Sequence, residues 1–156
     1  MNLPGKLKNY LGLHQVHFEL VAHPRTVSCV HTARVTRIAP ERLAKSVVLC
    51  DERGYVMVVL PVTGHVDLDA LGRRTGRALR MANEVEAERL FDDCEPGAFP
   101  AFGEPYGVET LIDESLLEQP EIYFEAGNHT DLVRMTPAQF VELAGSAPRG
   151  RFMTQH

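Results

Sequence analysis

The chain has 156 residues, of which 44% are hydrophobic and 24% are charged, and its formal net charge is −5. This length can bury roughly 70% of the unfolded surface in one core, so we expect a single domain that folds alone. The negative net charge excludes a general attraction for nucleic acid, and the chain shows neither low-complexity tracts nor repeats.

The chain carries no recognisable targeting or membrane signal. Residues 1–15 contain Lys6 and Lys8 without an apolar segment behind them, and the longest apolar run, residues 55–62, is too short to span a bilayer. We therefore expect a cytoplasmic protein with no membrane contact. The three cysteines are odd in number and widely spaced, which indicates reduced thiols and not a zinc or redox site.

The first half of the chain predicts helices at its start and a strand hairpin at its end. We expect a helix over residues 3–11 that stops at Gly12, followed by a strand over 16–21. A second helix is capped by Thr26 or Ser28 and runs to residue 37, and a helical turn covers residues 41–44. Two strands, over 46–50 and 55–60, are joined through Gly54.

The second half alternates helices and short strands around one irregular segment. We expect helices over residues 68–75, 84–91 and 137–143, capped by Asp67, Asn83 and Thr136, and strands over 79–81, 110–113, 122–125 and 132–135. Residues 94–107 contain too much Gly and Pro for a regular element, and the tail from Gly145 is predicted to fray.

This pattern predicts a mixed α/β fold, in which a mixed sheet or partly closed barrel is flanked by helices. The strands outnumber the helices that simple alternation would require, which argues against a doubly wound sheet. No glycine-rich dinucleotide or P-loop motif is present. We divide the chain into an N-terminal helix (1–15), the main domain (16–144) and a flexible tail (145–156).

Lys45 is the first candidate functional residue. It opens a strand whose following side chains are nearly all apolar and suit burial on both faces. A charge in such a place needs an anionic or hydrogen-bonding partner, unless the side chain simply extends to solvent.

Two later segments could serve the same site as Lys45. The loop of residues 97–103 contains Gly97, Pro100 and Gly103, and its glycines would let the backbone approach a ligand closely unless they merely turn the chain. The turn of residues 127–129 follows a strand and presents backbone amides together with the imidazole of His129.

Covalent and metal-dependent chemistry is disfavoured by the pattern of side chains. Ser46 adjoins Lys45 on a strand, so their side chains point to opposite faces, and the acidic neighbours of Cys94 raise the pKa of a thiol. The seven histidines show no pair with metal-ligand spacing beside a carboxylate. We expect no metal and no cofactor.

The chain resembles the YbaK-like aminoacyl-tRNA deacylases, which are freestanding relatives of the prolyl-tRNA synthetase editing domain. The resemblance is carried by three segments in the same order: the strand start at Lys45, the 97–103 loop and the 127–129 turn. The likeness spans about residues 16–144 and rests on Ala44 to Leu49, Leu90 to Gly103 and Tyr123 to His129. One departure is Ala101, where the family loop usually has a second proline.

The resemblance implies an enzyme that removes wrongly attached small amino acids such as Ala, Ser or Cys from tRNA, with a synthetase as a further partner. It implies Lys45, Gly97 and His129 as catalytic residues. It implies substrate contacts at Pro100, Phe102, Gly103, Gly127 and Asn128.

The surface for tRNA is expected where four arginines occur within eight residues, although such a run could equally be a solvated helix face. These are Arg73, Arg74, Arg77 and Arg80. Two other functions stay open at this point: a non-catalytic module that binds tRNA or an aminoacyl ligand, and a domain that docks on a synthetase.

Overall fold

The computed structural model describes residues 3–155, so residues 1, 2 and 156 of the predicted terminal segments lie outside it. The helices are α1 (Gly5–His14), α2 (Cys29–Thr36), α3 (Leu68–Thr75), α4 (Glu84–Leu90) and α5 (Pro137–Ala144). The strands are β1 (Glu19–Ala22), β2 (Ala44–Asp51), β3 (Gly54–Pro61), β4 (Gly64–Val66), β5 (Arg80–Met81), β6 (Glu109–Asp113), β7 (Ile122–Glu125), β8 (Asp131–Met135), β9 (Arg149–Gly150) and β10 (Met153–Gln155).

The strands form three sheets. A mixed five-stranded sheet has the order β5-β2-β3-β6-β9, in which β3 and β6 run parallel. A three-stranded antiparallel sheet has the order β1-β8-β7, and β4 pairs with β10. A parallel bridge between Leu43 and Tyr123 joins the start of β2 to β7. The mixed α/β prediction is confirmed, and the described strands form a partly closed arrangement without a closed barrel.

The large sheet is buried on both faces, which explains the uninterrupted apolar sequence of β3. Residues 56–60 are each at most 1% exposed. The main core lies between the two larger sheets and the helices α1, α4 and α5, and it includes the neighbouring rings of Phe102, Phe124 and Phe140. A second cluster lies under α3, and a third lies under α2.

Local capping signals identified most helix starts correctly. The side chain of Ser28, and not that of Thr26, caps α2 by accepting from the backbone amide of His31 at 3.1 Å. Asn83 and Thr136 each form the reciprocal capping arrangement with the residue three positions on. These caps decide where α2, α4 and α5 begin.

Two predictions about the ends of the chain were wrong. Gly12 lies inside α1, which ends where Gln15 takes a left-handed conformation with φ of 53°. The tail from Gly145 does not fray within the described residues, because β9 joins the large sheet and β10 pairs with β4. Phe152 between them is only 2% exposed, so burial of this ring anchors the tail.

None of the helices in the described part of the chain has the length and apolar character needed to span a bilayer.

Candidate active site

The imidazole of His129 packs against Gly97, so the structure brings two of the predicted catalytic residues together. A Cβ atom at Gly97 would be 3.7 Å from His129 Cε1. Gly97 has a positive φ of 79°, which side chains other than hydrogen rarely accept, so the backbone path and not a lack of space requires glycine here. The exposed backbone of Gly97 therefore borders the imidazole directly.

The hydrogen bonds of His129 determine which ring nitrogen is free. Nε2 lies 2.7 Å from the carbonyl oxygen of Pro96, which can only accept, so Nε2 carries the hydrogen. In the neutral ring the lone pair is then on Nδ1, which is buried and has no hydrogen-bond partner among residues 3–155. Because Nδ1 is shielded from solvent, a substrate hydroxyl group or a water molecule would reach it only after a local movement of the surrounding loops.

Glu95 holds the turn that carries His129. One carboxylate oxygen accepts from the His129 backbone amide at 3.3 Å, and the other pairs with Arg25. The backbone amide of Glu95 also donates to the carbonyl of Gly127 at 2.8 Å. The hydrogen bond and charge of Arg25 lower the pKa of Glu95, so this carboxylate stays ionised while it holds the turn.

Lys45 is the second residue of β2 and is half-buried. Burial lowers the pKa of its ammonium group, and the neighbouring Cys29 opposes this effect. No carboxylate lies within 4.0 Å of its nitrogen in the part of the chain that the structure describes. The lysine is thus a cation without an internal partner, as a residue reserved for an anionic ligand would be.

Ser46 faces away from Lys45 and anchors the 97–103 loop. Its hydroxyl group donates to the carbonyl oxygen of Pro100 at 2.8 Å. A cleft of about 430 Å³ opens beside this contact, and Ser46, Val48, Gly97 and Phe99 are among its walls. Lys45 and His129 do not line this cleft, so of the three predicted catalytic residues Gly97 alone borders it.

The remaining loop residues have structural roles that account for them. Phe102 is 3% exposed and lies in the main core, and Gly103 is needed because a Cβ atom there would overlap Thr110 and the backbone of Val108. Neither residue lines the cleft. Ala101 is completely buried, so the position that departs from the usual family loop is part of the core.

The 127–129 turn is shaped by its first two residues. Gly127 has a φ of 89°, and a Cβ atom there would overlap Pro4. The side-chain oxygen of Asn128 accepts from the backbone amides of Thr130 and Asp131 at 2.9 and 2.8 Å. The side-chain oxygen of Asn128 thereby closes the turn on the backbone of the next residues and is engaged within the protein.

A family model described as the aminoacyl-tRNA editing domain matches residues 23–143 of this chain. The chain belongs to this family. The match confirms the resemblance found in the sequence and covers every residue of the candidate site. A comparison with curated proteins gives no match.

Solved structures share the fold of this editing domain over its whole length. A candidate trans-editing enzyme for prolyl tRNA synthetase has a TM-score of 0.82 at 25% identity, over 96% of this chain and 95% of that one. A hypothetical protein, APE2540, has a TM-score of 0.86 at 19% identity, over 96% and 99% of the two chains, and shows the fold alone. A candidate signal transduction protein from Marinobacter aquaeolei VT8 has a TM-score of 0.79 at 25% identity, over 99% of this chain and 31% of that chain.

The editing domain contains a buried carboxyl group, that of Glu125, which the sequence did not single out. Glu125 ends β7, is 2% exposed, and receives a hydrogen bond from Thr32 at 3.4 Å on one oxygen. Its other oxygen is buried without a partner among residues 3–155. Burial raises the pKa of Glu125 to about 8, Thr32 opposes this, and Glu95 adds to it. The detectable signal was an acidic residue in an apolar strand directly before a glycine turn.

The four arginines of the predicted tRNA surface differ in their exposure and in their contacts within the protein. Arg77 forms a partly buried pair with Asp51, its Nη2 lying 2.6 Å from the carboxylate, and its side chain is only 12% exposed. Arg74 donates to the carbonyl of Arg149 and lies over the ring of Phe152, but it remains exposed.

The other two arginines are more accessible. Arg73 is exposed on α3. Arg80 is 63% exposed, pairs with Glu86, and precedes Met81, which lines the cleft. We therefore leave Arg77 out of the proposed tRNA surface, because its guanidinium group is engaged within the protein.

Cys94 is not an activated nucleophile in this editing domain. Burial, more than its acidic neighbours, raises the pKa of its thiol to about 12, and a hydrogen bond with Tyr106 only partly opposes this. A thiol in this state carries almost no thiolate at neutral pH.

Proposed function

We propose that this editing domain hydrolyses, in trans, the ester bond of mischarged tRNA that carries a small amino acid such as Ala, Ser or Cys. The observation that carries the proposal is the contact between His129 and Gly97 in a chain of the editing-domain family. The reaction belongs in the cytoplasm, where tRNA is charged, and a synthetase is the natural partner.

The proposed mechanism uses positioning and electrostatic stabilisation and no covalent intermediate. An aminoacyl ester is already activated, and the neighbouring ribose hydroxyl group can assist the attack of water. Once a local movement of the turn exposes it, Nδ1 of His129 accepts a hydrogen bond from that hydroxyl group or from the water molecule. The backbone of Gly97 contacts the α-amino group or the water, and the ammonium group of Lys45 holds the terminal phosphate or the carbonyl oxygen.

Selectivity for a small side chain would come from the size of the cleft. Its walls include the apolar side chains of Val48, Ala87 and Phe99, which limit the space for a substrate side chain. A single methylene group in such a site changes the free energy of the transition state by about 1 to 3 kcal/mol. Ser46 supports this wall, because its hydrogen bond to Pro100 fixes the loop that carries Phe99.

The tRNA acceptor end would approach along Arg80, with Arg73 and Arg74 contacting the backbone further away. Contacts of this kind weaken as salt concentration rises, because they release counterions. Changing Arg73 and Arg74 together to alanine should make the salt dependence of tRNA binding shallower by roughly one to two in its logarithmic slope. An unchanged slope would assign both side chains to solvent.

The test is single-turnover deacylation on a panel of mischarged tRNAs, each corrected for its spontaneous hydrolysis. Lys45→Ala should lose at least about tenfold in rate, as expected when a positioned charge is removed from a reacting group. Lys8→Ala is the matched control, because Lys8 is an exposed lysine on α1.

Full activity of Lys45→Ala would remove this residue from the mechanism. His129→Ala should also be slow, whereas His129→Asn keeps a side-chain acceptor and should retain more of the rate. Binding of the panel without any hydrolysis by the wild-type protein would instead identify a non-catalytic tRNA-binding module.

A further inference from the structure

Lys45 and Glu125 occupy equivalent positions on adjacent strands. The parallel bridge joins Leu43 to Tyr123, and each functional residue follows its bridge residue by two positions. Alternate residues of an extended chain share a face, so Lys45 and Glu125 point to the same side of the junction at which this bridge joins the two sheets. Leu43 and Tyr123 both pack in the cluster under α2, which identifies this side as the one that α2 covers.

The groups that surround Glu125 contain no cation paired with it. From α2, Thr32 donates to one carboxyl oxygen, and the Cys29 thiol is close enough for Glu125 to raise its pKa. From β2, Lys45 acts on the same thiol in the opposite direction. Glu95 adds a further negative charge from the neighbouring loop, and the partner of Glu125 in β8 is apolar.

Neither member of this lysine and glutamate pair satisfies the other. No ion pair within 4.0 Å joins them among residues 3–155, and the second oxygen of Glu125 is buried without a partner. Both groups act on the Cys29 thiol, so an ionised Glu125 would attract the unpaired lysine ammonium towards this side of the junction, because opposite charges attract strongly where water is scarce. A protonated Glu125 exerts no such attraction.

We infer that Glu125 is a positioning residue for Lys45: it keeps its proton under α2, stays uncharged, and so leaves the lysine ammonium free for an oxygen of the substrate. This inference rests on the proposed function for the part played by the substrate. The effect of the Glu125 charge on Lys45 does not depend on the proposed function.

If this is so, the availability of the Lys45 ammonium group for substrate depends on the charge of Glu125. The pKa of Glu125 is raised to about 8, so a tenth or less of the molecules keep the proton at pH 9. As pH rises through this range, the carboxylate forms and competes with substrate for Lys45. Glu125→Gln keeps the shape of the protonated carboxyl group but cannot ionise, so it should lack this loss.

The first test needs no substrate. The chemical shifts of the Glu125 carboxyl carbon and of the carbon next to the Lys45 nitrogen are followed by NMR from pH 5 to pH 11. Glu125 should titrate well above the usual range for a carboxyl group, and Lys45 should titrate at higher pH in the wild-type protein than in Glu125→Gln. A normal titration of Glu125, or identical titration of Lys45 in both proteins, would overturn the inference whether or not the protein edits tRNA.

The second test compares deacylation rates of the wild-type protein and Glu125→Gln at each pH. The rate of spontaneous hydrolysis at each pH is subtracted from both rates, and the ratio of the wild-type rate to the Glu125→Gln rate then cancels titration of the substrate amine. It should be close to one at pH 6.5 and fall about tenfold by pH 9, as the pKa of about 8 requires. Glu142→Gln, on the exposed face of α5, should give a ratio that does not change with pH.

Two outcomes would contradict the positioning role. A ratio that stays constant across this range would mean that the charge of Glu125 does not act on Lys45. A loss of more than tenfold in Glu125→Gln at pH 6.5, with the fold intact by circular dichroism, would mean that the carboxyl group acts in another way. A wild-type protein without deacylation would refute the proposed function, and the NMR titrations would then decide the inference alone.

Discussion

Replacing Glu125 by glutamine should change how the stability of the protein depends on pH. Burial raises the pKa of this carboxyl group from 4.5 to about 8 in the folded protein. In the unfolded chain it titrates normally, so between these two pH values the folded state binds the proton and the unfolded state releases it. The contribution of Glu125 to stability is therefore complete below pH 4.5 and is lost as pH rises towards 8.

The size of the effect follows from the shift. One pKa unit corresponds to about 1.4 kcal/mol, and most of the interval between the two pKa values lies between pH 5 and pH 8. The wild-type protein should thus lose about 3 kcal/mol of unfolding free energy over this range relative to Glu125→Gln. For a chain of this length, that corresponds to roughly 6 to 12 °C in melting temperature.

The assay is urea denaturation followed by circular dichroism at pH 5, 6.5 and 8, with Glu142→Gln as the control. The difference between the wild-type protein and Glu125→Gln isolates the one carboxyl group, because every other titrating group is common to both. Glu125→Gln should become the more stable protein as pH rises, whereas the control should follow the wild type. Parallel curves for the wild type and Glu125→Gln would show that Glu125 titrates normally and would refute the reasoning.

Three further changes test other parts of the structure. Arg77→Met leaves its carboxylate partner without a counter-ion, so its melting temperature should fall clearly below that of the exposed control Arg73→Met; equal melting temperatures would mean that the ion pair contributes nothing. Gly127→Ala combines a positive φ with a steric clash, whereas the control Gly107→Ala has a positive φ but open space. In urea denaturation, Gly127→Ala should therefore lose at least about 1 kcal/mol more unfolding free energy than the control. Equal losses would contradict the close packing of the turn. Ser46→Ala removes the hydrogen bond to the loop carbonyl and should cost about 1 kcal/mol in the same assay and slow deacylation, whereas an unchanged rate would separate the loop anchor from the chemistry.

Local sequence patterns predicted the elements that depend on neighbouring residues. Asp67 and Asn83 cap α3 and α4 as expected, because a side-chain oxygen that satisfies a free amide three residues on is a local interaction. The hairpin of β2 and β3 also formed as predicted, with Gly54 at a positive φ of 137°. The three segments around Lys45, Gly97 and His129 together were enough to indicate the family, because each is a short contiguous motif and their order along the chain is readable from the sequence.

Long-range contacts decided the features that the sequence missed. The tail was predicted to fray because it is a chain end, but Phe152 packs in a buried site that only the folded chain provides. Arg77 was grouped with its neighbours on charge, but Asp51, 26 residues earlier, engages its guanidinium group. In both cases the partner is distant in sequence, so no local pattern could indicate it.

The sequence by itself determined the family, the mixed α/β class and the residues in which to look for chemistry, since these depend on residue type, spacing and local capping. The tertiary structure alone decided which nitrogen of His129 lacks a partner among the described residues and that Lys45 has no internal counter-ion among them. It also decided that Glu125 is buried beyond the bridge that joins β7 to the start of β2. The physical reason is that the protonation state and availability of a group depend on burial and on the charges around it, and these come from strands and loops that meet only when the chain folds.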